Sequence, residues 1–284
     1  MTNIKDIQQF YAATDWMFRL FEIQRGNAAM HSAGLWFEGV SNHAEAREAL
    51  YRTLATRARL VPGAQVLDAG CGIGDAAGWL AQHYDAQVLG INILDEQLCR
   101  ARELARAQGL AEHLHFELRD FHATGLDSNS FDLIWALESL CHSPDPAAFF
   151  AESRRLLRPG GRLIIADRFL LPGARLSNGR LLLQNWIRDW AMPALLSSSE
   201  ACELAEMHGF GAIMLEDLSA LVRPALAEMA TLAESGLAGL GLLPGNSASS
   251  VRAELQGCID QYRSFERGLW CYGLLSAGER TSCN

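Results

Sequence analysis

Residues Gln65 to Ala77 read QVLDAGCGIGDAA, and this stretch decides the fold. Val66 and Leu67 form an apolar strand that ends in Asp68. Gly70, Gly72 and Gly74 follow at every second position, and a helical run begins behind them. A strand that enters a glycine-rich turn at a helix N-terminus brings backbone amides closer to a ligand than side chains would allow. Asp68 changes the meaning of the turn, because its carboxylate repels a phosphate and attracts a cationic amino group. The turn therefore points to S-adenosylmethionine rather than to a dinucleotide. Gly72, Gly74 and Ala77 also satisfy a permissive dinucleotide fingerprint, so the downstream spacing has to decide. The second strand, Ala86 to Ile91, ends at Asn92, where a dinucleotide site usually carries an acid for the ribose.

Outward from the turn, strands are expected near 65–69, 86–92, 113–119, 131–137 and 162–167. Helices are expected between them, near 75–83, 95–108 and 146–157. Two later strands, near 211–217 and 269–277, would complete the sheet. Strand–helix alternation predicts an α/β fold with a mostly parallel seven-stranded sheet covered on both faces. Asp145-Pro146 opens a helix, and Arg158-Pro159-Gly160-Gly161 stops it. Four regions follow: a helical N-terminal lid at 1–60, a cofactor-binding core at 61–168, a cap insertion at 169–198, and a completion of the sheet at 199–284. The last carries a helical insertion at 219–248. In an open parallel sheet, ligands bind at the carboxyl ends of the strands, so the lid, cap and insertion are the segments expected to cover an acceptor.

Composition narrows the class. The formal charge of −9 argues against binding a nucleic-acid backbone. No run of eighteen uncharged apolar residues predicts a membrane span, and the N-terminus lacks the zones of a secretion signal. Seven cysteines without a CxxC pair fit a reducing compartment, and the expected location is cytoplasmic. No His/Cys/Asp cluster has ligand spacing, so no metal is expected. A homodimer is compatible with the sequence.

Five motifs then carry a resemblance. VLDAGCGIG, GINILDEQLCRA, RDFHATGL, FDLIWALESLCHSPDP and RRLLRPGGRLIIAD stand in order between Val61 and Asp167. Together they resemble the class I S-adenosylmethionine-dependent methyltransferases, in the branch of the sterol, tocopherol and geranyl-diphosphate methyltransferases and their natural-product relatives. The resemblance implies a Rossmann-like fold and S-adenosylmethionine as cofactor. It also implies methyl transfer to a bulky, largely apolar small molecule of secondary metabolism. C-methylation is favoured, with N- or O-methylation as the alternative. A SAM-binding interaction protein without turnover and an NAD-dependent oxidoreductase are the readings from other classes.

Residue by residue, Asp68 is placed at the methionine amino group, with Gly70 and Gly72 beside the methionyl and ribose portions. Cys71 lies in the same turn as a small filler. Asn92 is placed at the ribose or as a turn-former, with Ile93 and Gln97 in the same motif. Asp120 and Phe121 would bracket the adenine, unless Asp120 is only a surface acid ending a strand. Glu138 resembles a glutamate proposed in relatives to remove a proton after carbon attack. Its other roles are binding a substrate amine or a structural bond to a helix N-terminus. His142 is a candidate base or an ordinary cap before Ser143-Pro144.

AMHSAGLWFEG resembles the lid stretch of the branch, with an extra residue between His31 and Gly34, and it makes Trp36 a pocket candidate. Phe10, Thr14, Met17, Phe18 and Phe21 share one apolar helical face, read first as core packing, with Tyr11 and Trp16 on other faces as candidate substrate contacts. Trp186 and Trp190, four apart in the mid-chain insertion, share a helical face and are expected to wall an apolar acceptor.

Overall fold

The computed structural model describes residues 4–24, 32–193, 195–240 and 249–279, with side chains from 15 to 24 and at 240, 249 and 250 left aside. The elements run α1 (Ile4–Gln24), α2 (His43–Ala58), β1 (Gln65–Ala69), α3 (Asp75–Tyr84), β2 (Gln87–Asn92), α4 (Asp95–Ala107), β3 (Leu114–Leu118) and β4 (Phe131–Leu137). They continue with α5 (Pro146–Leu156), β5 (Leu157–Leu170), α6 (Arg180–Asp189), α7 (Ser198–Met207), β6 (Phe210–Asp217), α8 (Ser219–Leu240), α9 (Ser249–Glu266) and β7 (Trp270–Glu279). Two compact units result: residues 51–167, 199–216 and 273–284 form one, and residues 1–50, 168–198 and 217–272 form the other.

The first unit is built on the sheet, whose strand order is β3-β2-β1-β4-β5-β7-β6. β1 pairs in parallel with β2 on one side and β4 on the other. The order reverses between β1 and β4, and the carboxyl ends flanking such a reversal are where open α/β sheets bind ligands. Strands covered on both faces read as continuous apolar runs. Val66, Ile134, Trp135, Leu163, Ile164 and Ile165 are accordingly fully buried.

One boundary departs from the sequence expectation. The Arg158–Gly161 turn does not separate α5 from β5; the strand starts at Leu157 and runs through it. Phe131 pairs with Leu157, but Leu133 pairs with Arg162, so the turn residues bulge out of a continuing strand. Local turn chemistry was read correctly, and long-range pairing set the strand.

The second unit is helical. α9 packs against α8, α6 and α1. Ala233, Leu255, Cys258 and Ile259 form a buried cluster that Trp190, Met229, Leu237 and Val251 complete. In α1, Ile7 and Thr14 are buried seven residues apart, two turns along one face. Met17, Phe18 and Phe21, expected on that face, lie outside the described side chains, as does Trp16.

Candidate functional site

The turn after β1 is pinned from two sides. The amides of Gly70 and Cys71 both donate to the Ile91 carbonyl of β2 at 3.0 Å. From β4's side, the Ser139 hydroxyl donates to the Ala69 carbonyl at 2.6 Å. Gly70 has φ +89°, and a Cβ there would lie 2.5 Å from the Ser139 Cβ. Its glycine is therefore required by Ser139, and its amide is committed to Ile91. This corrects the expectation that Gly70 faces the ligand. Gly72 differs: it has φ +54°, a Cβ there would meet nothing within 4 Å, and its amide makes no hydrogen bond among the described residues. The open side of the turn is at Gly72. Cys71 is a buried filler whose thiol burial pushes well above its ordinary range.

Asp68 supplies the electrostatic half. Its residue is 2% exposed, and Oδ2 has no hydrogen-bond partner. Burial alone pushes its pKa up to about 7. A carboxyl held dry without a protein cation is costly, and a ligand's ammonium group would relieve it. A cationic amino group above a glycine turn is what S-adenosylmethionine offers, so the residues present fit this cofactor.

Asn92 closes β2. Its Oδ1 accepts from the amides of Ile93 at 2.7 Å and Leu94 at 3.3 Å. Its Nδ2 donates to Gln97 Oε1 at 2.8 Å and, weakly, to the Gly72 carbonyl at 3.4 Å. Asn92 thus shapes the loop that supports the glycine turn, and Gln97, also buried, holds it there. A ribose bond from Asn92 would have to replace the long contact to Gly72.

Past β3, Asp120 Oδ1 accepts from the backbone amide of His122 at 2.9 Å and contacts its Nδ1 at 2.5 Å. The other nitrogen, Nε2, lies 2.7 Å from the hydroxyl of Ser143. Asp120 Oδ2 makes no hydrogen bond among the described residues. The Phe121 ring stands edge-on to Phe149 at 5.3 Å.

Glu138 follows β4 at φ +51°, a left-handed backbone that non-glycine residues rarely adopt. Its amide donates to the Ala166 carbonyl of β5 at 2.8 Å, which fixes the strained residue at the sheet edge. Strain of this kind concentrates at functional positions. His142 ends a short 3-10 turn, Leu140–His142, with its amide donating to the Ser139 carbonyl at 3.1 Å.

The acceptor candidates belong to the helical unit. Tyr11 is half-buried, edge-on to Phe10 at 5.2 Å. Trp36 donates its indole N–H to the Ala33 carbonyl at 3.2 Å and packs edge-on to His43 at 4.9 Å. Trp186 is completely buried, 4.9 Å from Trp270 and 6.0 Å from Trp190. With no accessible surface it is a core residue, which corrects its expected place in a pocket wall. Trp190 is half-buried, and the Arg168 guanidinium lies 5.7 Å from its ring centre.

Comparison with known proteins agrees with this geometry. A family model described as "Methyltransferase domain" matches residues 67–165. Methyltransferase GfsG of Streptomyces halstedii is 44% identical over 124 residues, 44% of this chain and 45% of that one. Cycloartenol-C-24-methyltransferase 1 of Oryza sativa subsp. japonica is 30% identical over 199 residues, 67% of this chain and 56% of that one. Other curated relatives are named O-methyltransferases. The crystal structure of the [4+2]-cyclase SpnF superposes with a TM-score of 0.77 at 23% identity, covering 96% of this chain and 95% of that one. Residues 67–165 belong to the class I S-adenosylmethionine-dependent methyltransferases, a family whose cofactor is S-adenosylmethionine. The chain spans about half the length of the curated relatives it matches.

Sequence reading missed Ser139, His122 and Ser143. Ser139 and Ser143 stand in the quoted ESLCHS segment, and His122 follows Asp120 and Phe121 directly. Polar residues just past strands β3 and β4 were the available signal. Among the described residues, no helix is long and apolar enough to cross a membrane, and no group of three His, Cys, Asp or Glu could hold a metal ion.

Proposed function

We propose that this protein transfers the methyl group of S-adenosylmethionine to a carbon of a bulky, largely apolar small molecule of secondary metabolism. The observation that carries the reading is the pairing of a dry, unpartnered Asp68 with the open Gly72 turn. Glu138 is held in a left-handed backbone at the end of the neighbouring strand.

When bound, the cofactor supplies a methyl carbon already activated by its sulfonium. Asp68 would hold the methionine amino group, Asp120 the adenine amine through Oδ2, and Phe121 one face of the base. Positioning of this kind contributes on the order of 7–11 kcal/mol when the geometry is ideal. Methylation of an alkene carbon leaves a cation that must shed a proton, and the Glu138 carboxylate is the base for it. The similarity to a sterol C-24 methyltransferase supports carbon as the acceptor atom. O-methylation is the second reading, supported by the O-methyltransferases among the relatives. There His142, at the end of the turn after β4, would take a hydroxyl proton. The segments proposed to select the acceptor are the lid, the cap and the 219–248 insertion, with Tyr11, Trp16, Trp36 and Trp190 as aromatic contacts.

Release of S-adenosylhomocysteine is followed while terpenoid, sterol, polyketide and phenolic acceptors are offered. Product mass and carbon-13 shift then separate C- from O-methylation. No release with any acceptor, despite tight cofactor binding, would favour a binding protein instead.

A further inference from the structure

We infer that His122 is a positioning residue for adenine recognition: it ties one oxygen of Asp120 to the buried hydroxyl of Ser143, so that the other oxygen is presented to the base. This rests on the cofactor reading above and deepens it.

The three groups form one chain of contacts. Asp120 Oδ1 lies 2.5 Å from His122 Nδ1, and His122 Nε2 lies 2.7 Å from Ser143 Oγ. A carboxylate only accepts, so Nδ1 carries the proton and donates to Asp120. Nε2 is then the acceptor, and the Ser143 hydroxyl donates to it. The backbone amide of His122 donates to the same Oδ1 at 2.9 Å. Both bonds therefore fall on one oxygen. Asp120 Oδ2 has no hydrogen bond among the described residues, and the side chain is 36% exposed.

The far end of the chain is rigid. Ser143 is 1% exposed, and its amide donates to the Leu140 carbonyl at 2.9 Å. The His122 side chain is 13% exposed and packs at 4.5 Å from the Phe121 ring. A histidine anchored at both nitrogens fixes the rotation of the carboxylate it serves. The arrangement couples the loop after β3 to the segment after β4 that also carries Glu138. A surface acid ending a strand would need no such support. The polarity also selects a ligand chemistry: an oxygen that only accepts matches an exocyclic amine and repels a carbonyl.

The test uses calorimetric titration with two probes, S-adenosylhomocysteine and its 6-oxo analogue, in which a carbonyl replaces the adenine amine. The wild type should prefer the amine-bearing compound by about tenfold or more. His122→Ala should reduce that preference below about threefold while changing affinity for the 6-oxo compound by less than about twofold. A variant that is merely less stable would weaken both probes together. His122→Asn places an amide nitrogen near the position of Nδ1 and should retain most of the preference. His122→Gln, which reaches toward Ser143 instead, should not. Equal loss of both probes in His122→Ala, or equal preference in the Asn and Gln variants, would overturn the inference. A wild type that binds S-adenosylhomocysteine without preferring it would overturn the inference and leave the cofactor reading intact. Binding of neither probe would overturn both.

Discussion

Two buried carboxyl groups, one in each unit, meet the same penalty in different surroundings. Asp68 and Glu254 are 2% and 1% exposed, each has an oxygen without a partner, and burial raises both, to about 7 and about 8. Asp68 stands below a glycine turn whose Gly72 faces open space. Glu254 lies on α9, against which α6 packs, and the Asp189 carboxylate of α6 adds to burial in raising it to that value. The indole nitrogens of Trp186 and Trp190 and the amide nitrogen of Gln261 are also unpartnered there. An unpaired acid beside an opening is available to a cationic ligand, whereas one enclosed by helices and raised to about 8 keeps its proton at neutral pH. The difference separates a site from a cost of packing, although burial and charge alone look alike.

The largest effect should come from distorting the turn. Gly70→Ala adds a Cβ 2.5 Å from the Ser139 Cβ, at a φ that L-residues disfavour. Cofactor affinity should fall by at least about a hundredfold, with a loss of about 2–4 kcal/mol in stability. Calorimetry and chemical denaturation read the two effects separately. Retained affinity would mean that the turn is not the site.

Next is Glu138→Gln. If Glu138 takes a proton after carbon attack, turnover should fall about 100- to 1,000-fold. Affinity for S-adenosylhomocysteine should stay within about threefold. Equal loss of both would make Glu138 a structural residue of the sheet edge.

Glu254→Gln tests the helical side of the comparison. An acid whose folded pKa is raised from 4.5 to about 8 keeps a proton that the unfolded chain releases. Its contribution is therefore favourable at low pH and is lost as pH rises through that window. The variant should melt about 4–8 °C above the wild type at pH 9 and within about 1 °C of it at pH 5. Unchanged cofactor affinity would confirm that this acid serves no cofactor. A drop in melting temperature at pH 9 would indicate that Glu254 has a partner in solution.

The smallest effect is expected at Glu152, which lies far from the turn in sequence and accepts from the Thr124 amide at 2.8 Å and from Arg155 at 2.8 Å. The Arg155 bonds, with those from Thr124, hold its pKa down at about 2. A depressed acid stabilises above its unfolded value and loses that contribution as pH falls toward 2. Glu152→Gln should cost about 1–3 kcal/mol at pH 7 and little at pH 2.5, read by urea denaturation at each pH.

How much was readable follows the same division. The core unit is mostly one continuous stretch, 51–167, so the strand, turn and helix from Gln65 to Tyr84 could be read locally. What failed there was non-local. Gly70 was assigned to the ligand because Ser139, sixty-nine residues away in sequence, is invisible from the motif. The Arg158–Gly161 turn was read as a boundary because the pairing of Phe131 with Leu157 is not a local property. His122 and Ser143 meet across 21 residues, and no motif joins them.

The helical unit is assembled from three separated stretches. Periodicity put Trp186 and Trp190 on one face but could not say what covers it. Trp270, eighty-four residues after Trp186, does so. Backbone-made sites are written in short motifs, and side-chain-made surfaces are written in packing.

The most direct test is a calorimetric titration of S-adenosylmethionine and S-adenosylhomocysteine into the wild type and Asp68→Asn, with thermal melting of both proteins without ligand. Binding should be near micromolar in the wild type and at least about thirtyfold weaker in the variant. The ligand-free variant should melt at or above the wild type at pH 8, because a dry unpaired charge has been removed. Undiminished binding by Asp68→Asn, or no binding by the wild type, would contradict the role assigned to Asp68.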